Sequence, residues 1–182
     1  EACAHTSPSQ LILRGFMLII LSSPKGGSGT SVVAASLAIA SSSLAPTLLV
    51  DLAGDQAAIM GLPEPPVGLS DWVYGMTHHD FDEILITCND NLHLAPSGSS
   101  AIEILSTTAW TNLARAVTKK EADGYNIIID FGQANLPPAF NKLIHTHYMV
   151  TRPCYLSLRR AVNLDQKFSG VIVVQEHDRV LT

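Results

Sequence analysis

An apolar run, Met17-Leu18-Ile19-Ile20-Leu21-Ser22, passes directly into Ser23-Pro24-Lys25-Gly26-Gly27-Ser28-Gly29-Thr30-Ser31 and from there into a helical stretch marked by Val33, Leu37, Ala40 and Leu44. Glycine enters tight and left-handed turns at little steric cost. A glycine-rich turn between a strand and a helix therefore aims the first N–H groups of the helix, and the positive end of its dipole, at one point. A phosphate chain suits such a point. The dinucleotide fingerprint GxGxxG fails here, because its third glycine position, counted from Gly27, is Val32. Against the P-loop pattern GxxxxGK[ST], Gly29 and Ser31 match, Pro24 stands at the first glycine, and Thr30 replaces the lysine that grips the β/γ-phosphates. On the loop alone, a strand-to-helix turn with no ligand is the competing reading.

The rest of the chain repeats the same alternation. Short, doubly apolar runs at Met17–Ser22, Thr47–Leu52, Asn91–Ala95, Asn126–Phe131, Tyr148–Thr151 and Gly170–Gln175 read as buried strands. Helical patterns lie between them at Thr30–Ser42, Ala101–Glu121, Ala139–His145 and Tyr155–Gln166. This order predicts an α/β protein, a three-layer α/β/α sandwich around a mostly parallel sheet. Gly61–Asp82, punctuated by Pro63, Pro65, Pro66 and Gly68 and helical from Leu69 to Tyr74, reads as a surface excursion. Its His78-His79-Asp80 and Asp82 read as a solvated loop, since adjacent histidines share no face for a metal.

With 182 residues and no Pro/Gly/Ser-rich interior linker, one domain over residues 17–182 is expected, with 1–16 an upstream extension or a cloning remnant. Apolar residues make up 47% and charged ones 15%, which excludes a disordered chain. The net charge of -5 argues against broad binding to nucleic acid or anionic lipid. Cys3, Cys88 and Cys154 are odd in number and lack CxxC spacing, so neither disulfides nor a zinc site is expected. Cys154, with no base partner nearby in sequence, reads as a packing residue. The apolar runs are far shorter than the roughly 20 residues a membrane span needs, and Glu1 opens without the positive stretch of a secretory leader. A cytoplasmic location is the expectation, and nothing in the sequence indicates a membrane.

Lys25-Gly26-Gly27-Ser28-Gly29 resembles the deviant Walker A loop, KGGxGK[ST], of the MinD/ParA family of P-loop ATPases. In that family the early lysine reaches across a dimer to the partner's nucleotide, and Lys25 holds its position. The resemblance covers most of Met17–Val174. Leu48-Leu49-Val50-Asp51-Leu52-Ala53-Gly54-Asp55-Gln56 resembles the second motif, an apolar strand ending in D-x-D, with Asp51 at the first carboxylate and Ala53 at the second. Asn126-Ile127-Ile128-Ile129-Asp130 resembles a Walker B strand. Thr151–Ala161, with Arg152, Arg159 and Arg160, is similar to the corresponding stretch of bacterial members that include the pilus-localisation proteins CpaE and TadZ and the septum-site-determining proteins. Arg159 and Arg160 read as a solvated helix face.

The resemblance implies ATP or ADP held by Lys25, Gly26, Gly27, Ser28, Gly29, Thr30 and Ser31. Mg²⁺ would be held by Ser31 and, through water, by Asp51 and Asp130, with Lys25 and Asp51 as the catalytic positions. It further implies a homodimer and a protein partner in a localisation or secretion system. Two departures bear on hydrolysis, because phosphoryl transfer in P-loop proteins is mostly positioning and charge neutralisation. Thr30 removes a positive charge from the phosphates, and Ala53 removes the carboxylate near the attacking water, which Asp55 would have to bend back to replace. The expected function is thus a degenerate nucleotide-binding positioning or assembly factor, the alternative an active ATPase cycling between monomer and nucleotide sandwich dimer. Gln175 onward lacks the asparagine that contacts the base in the family, and further C-terminal strands are expected to be missing.

Overall fold

The computed structural model describes residues 17–175 apart from 77, 99–105, 134–135 and 144. Strands β1 (Leu18–Ser22), β2 (Thr47–Asp51) and β5 (Asn126–Asp130) are buried at every position, which is why they carry no polar alternation in sequence. They occupy the centre of a seven-stranded sheet whose order is β3-β4-β2-β5-β1-β6-β7, where β3 is Ile86–Asn89, β4 Leu92–Ala95, β6 Thr146–Thr151 and β7 Gly170–Val173. All neighbours run parallel except β3 and β4. The three-layer α/β/α sandwich expected from the sequence is the architecture found.

Alternate residues of the central strands feed two cores. Ile20, Val50, Ile127 and Ile129 pack on one face with Leu113, Val117, Phe131 and Phe140, while Ile19, Leu21, Leu49 and Ile128 pack on the other with Ala34 and Ala38. The second face carries helix α1 (Thr30–Ser42), whose buried residues are Thr30, Ala34, Ala35, Ala38, Ser41 and Ser42. The stripe expected from Val33, Leu37, Ala40 and Leu44 is therefore rotated: Val33 and Leu37 are half-buried, while Ala40 and Leu44 face solvent. Small side chains at four-residue spacing let the helix lie close on the sheet, so the stripe starts at Thr30 and the large residues are left outside.

Other boundaries moved for local reasons. Helix α4 (Thr107–Ala122) starts at Ser106, whose hydroxyl accepts from Ala109 N at 3.2 Å; the expected start at Ala101 lies outside the described residues. Helix α5 is a single turn, Pro138–Asn141, rather than Ala139–His145. Helix α6 spans Tyr155–Val162, ending before the expected Gln166. Strand β3, which sequence reasoning missed, is an edge strand in a hairpin turned at Asp90-Asn91. Beyond the single turn α2 (Gln56–Ile59), the Gly61–Asp82 excursion packs more firmly than a surface loop: α3 (Leu69–Val73) buries Leu69, and Trp72 meets Phe81 edge-on at 5.2 Å. His78, His79, Asp80 and Asp82 are exposed as expected, His79 sitting 3.3 Å from Glu83 and Asp82 pairing with Lys120. Among the described residues no helix is long and apolar enough to cross a membrane.

Candidate functional site

Parallel sheets gather their functional groups where the carboxyl ends of the strands meet. Here the register sets Leu21 of β1 and Asp51 of β2 on either side of Asp130 of β5. The glycine-rich loop leaves β1 at this point. Ser23 anchors it, donating N–H to Gly132 O at 2.8 Å and its hydroxyl to Lys25 O at 3.0 Å and Gly132 O at 3.1 Å. Ser28 Oγ also donates to Lys25 O, at 2.7 Å. Gly27 and Gly29 adopt φ of 72° and 89°, where a side chain would be strained. A Cβ on Gly26 would meet Gln133 Nε2 at 2.7 Å, so that glycine lets Gln133 pack on the loop.

The start of α1 is unsealed. No side chain caps it and no acid lies in its first turn. Val33 N donates to Gly29 O at 3.0 Å, whereas the amides of residues 26–32 donate to no backbone carbonyl among the described residues. Thr30 Oγ1 is buried without a hydrogen-bond partner. Open amides, the dipole and an orphaned hydroxyl together form an anion cradle, and the residues fit a phosphate chain.

The opposite wall is carboxylate. Asp51 accepts N–H bonds from Ala53 at 3.1 Å, Gly54 at 2.7 Å and Gln56 at 3.0 Å, which fold the chain back after β2. Asp130 accepts from Gln56 Nε2 at 2.8 Å and from Gly132 N at 3.2 Å, and the neighbouring Ser31 hydroxyl eases its charge. Gln56 Nε2 also reaches Ser31 O at 2.9 Å, tying helix start to strand end. Burial pushes the Asp51 carboxyl up to about 6, its backbone bonds pulling the other way and neighbouring Asp130 adding repulsion. Asp130 is raised for the same first reason. Two costly buried carboxylates beside the Ser31 hydroxyl make a hard oxygen donor set that fits Mg²⁺.

Between the walls lies an open cleft of about 730 Å³. Gly26, Gly27, Ser28, Gly29, Thr30 and Ser31 all line it. Ala53 lines it beside Gly132, bringing no carboxylate. Asp55 lines it too, close enough for its charge to act on Asp130. Lys25 does not form part of the wall. Gln133 is a site residue that sequence reasoning missed, and Gln56 and Arg152 stood in the matching stretches without a role; the available signal was only that each follows a strand's carboxyl end.

Solved structures share this architecture. The chain aligns with the MinD cell division protein of Aquifex aeolicus at 21% identity and a TM-score of 0.67, over 86% of this chain and 68% of that one. It aligns with the ParA family ATPase of Chlorobium tepidum at 22% identity and 0.63, over 87% and 73%. The kinase domain of the Escherichia coli tyrosine kinase ETK aligns at 15% and 0.66, over 92% and 71%. The fold is the MinD/ParA-type P-loop fold. No family model and no curated protein matches the sequence.

Proposed function

We propose that the chain is a cytoplasmic, nucleotide-binding positioning or assembly factor of the MinD/ParA kind, closest to the CpaE/TadZ and septum-site-determining members, with little or no ATP hydrolysis. The observation that carries this reading is the mismatch between the two halves of the cleft. The cradle and the paired Asp51 and Asp130, tied to Ser31 through Gln56, are present, while Thr30 and Ala53 contribute no charge. Backbone amides and the helix dipole hold phosphate irrespective of side chains, so binding survives the loss of the loop lysine. Turnover depends on positioned charge and does not.

In this reading Ser31, with Asp51 and Asp130 through water, holds Mg²⁺, which when bound neutralises phosphate charge. Gln56 orients Asp130 and the Ser31 backbone. Lys25, outside the wall of its own cleft, reaches the nucleotide of a second copy in a homodimer, and nucleotide exchange rather than hydrolysis opens that dimer. The partner is a protein of a localisation or secretion system. Asp55 favours a second reading, a slow ATPase, because it already lies in the cleft and substitutes for the carboxylate absent at Ala53.

Three measurements test the proposal. Mg-ATP should raise the unfolding temperature, as any ligand specific to the native state does. Phosphate release should stay at background; turnover lost on Asp55→Ala would establish the second reading. Sedimentation with and without ATP should show association for the natural chain and none for Lys25→Ala, and identical association in all four conditions would remove the dimer.

A further inference from the structure

We propose that Arg152 supplies the phosphate-binding cation that Thr30 does not, from a different strand of the sheet. The inference rests on the nucleotide-binding reading above and assigns its specificity for the charged phosphate chain. Arg152 immediately follows β6, the strand beside β1, and Ser22 at the root of the loop pairs with Met149 three residues earlier. It lines the same cleft as the loop, and among the described residues it is the one cationic side chain in that wall. The other charged side chain in the wall is negative, Asp55, and Asp51 and Asp130 end the adjoining strands, while Lys25 on the loop lies outside the wall. An anionic ligand in such a place needs a positive partner on the protein. A guanidinium remains charged at any working pH and matches phosphate oxygens with paired N–H donors.

The backbone under Arg152 is well held, as a positioning role requires. Thr151 O accepts from Val174 N at 2.8 Å, Thr151 Oγ1 pairs with Ser157 Oγ at 2.8 Å, and Arg152 O accepts from Cys154 N at 2.7 Å. Val174 in turn packs against Gly29, so the start of α1 and the end of β6 are fixed to one another. A loop lysine would approach the phosphates from within the cradle. Arg152 approaches from its rim.

Calorimetric titration of Mg-ATP, Mg-ADP and pyrophosphate into the natural chain, Arg152→Gln, Arg152→Lys and the double variant Arg152→Gln/Thr30→Lys tests this. Arg152→Gln should weaken all three ligands by about tenfold or more, the size of a charge-assisted hydrogen bond. Arg152→Lys should lie between, and Thr30→Lys should restore binding in the Gln background by returning a cation to the cradle. Should Arg152→Gln fail to fold, Arg152→Lys decides: affinity for all three ligands unchanged from the natural chain overturns the role, since a lysine cannot offer the paired N–H donors. Affinity in Arg152→Gln within twofold of the natural chain, or no rescue by Thr30→Lys, overturns the role of Arg152 and leaves the nucleotide reading intact. Absence of binding by the natural chain overturns both.

Discussion

On the β2–β5 side of the cleft, Asp51 accepts three backbone N–H groups and Asp130 accepts from Gln56 and Gly132. On the α1 side, Thr30 Oγ1 is buried with no partner and the helix start has no side-chain cap. Gln56 Oε1 is the one orphan on the satisfied wall, and it too belongs to the residue that joins the two walls. The difference teaches how to separate groups that hold a fold from groups that wait for a ligand. A tied polar group stabilises the folded chain, so deleting it leaves its partners stranded; an untied one costs stability, so deleting it is a gain. The two walls should therefore respond to mutation with opposite signs.

The largest effect belongs to the tied wall. Asp51→Ala strands three N–H groups at the turn after β2 and should cost about 2–4 kcal/mol in urea unfolding. A cost below about 1 kcal/mol would mean that water satisfies those amides, and the contrast would fail.

Acid unfolding gives the next effect and divides along the same line. His147 lies under the loop, its Nε2 2.8 Å from Ser22 Oγ, and burial lowers it from 6.5 to about 4. The unfolded chain takes up that proton first, so stability should fall by about 1–3 kcal/mol as pH drops from about 6.5 toward 4. Asp51, raised from 3.8 to about 6, does the reverse: the folded chain is protonated first, so stability rises as pH drops from about 6 to 3.8. Equilibrium unfolding across this range should show His147→Gln flattening or reversing the acid decline and Asp51→Asn steepening it. Profiles of the two variants that superimpose would sink the assignment.

Thr30→Val should stabilise the unliganded chain by about 1 kcal/mol, because it removes a buried hydroxyl without a partner and keeps the shape. A loss of stability in thermal or urea unfolding would show that the hydroxyl is already engaged. The smallest effect is expected for Lys25→Ala, since it is the Lys25 carbonyl that the loop uses, accepting from Ser23 and Ser28. Monomer stability should stay within about 0.5 kcal/mol of the natural chain, and a larger loss would give the side chain an intramolecular task.

Much of the sheet was legible because its central strands are buried on both faces. Such strands are continuous apolar runs in any register, so β1, β2 and β5 and their terminal Asp51 and Asp130 could be read directly from the sequence. The loop glycines were legible for a related reason: Gly27 and Gly29 take left-handed conformations that few other residues accept. Helix α1 was placed to the residue, yet its buried face was misread, because the pattern weighs the size of Val and Leu while close packing on the sheet selected Ala34 and Ala38.

The sequence alone thus determined the layers, the strand–loop–helix unit and the two carboxylates, since each depends on local conformation or on burial that composition reports. Tertiary structure alone decided which groups share the cleft. Gln56 bridges Ser31 and Asp130 across 25 and 74 residues of chain, and Arg152 enters the wall because β6 lies beside β1. Strand order is set by how crossovers wrap the sheet, and it places residues side by side that no spacing along the chain connects.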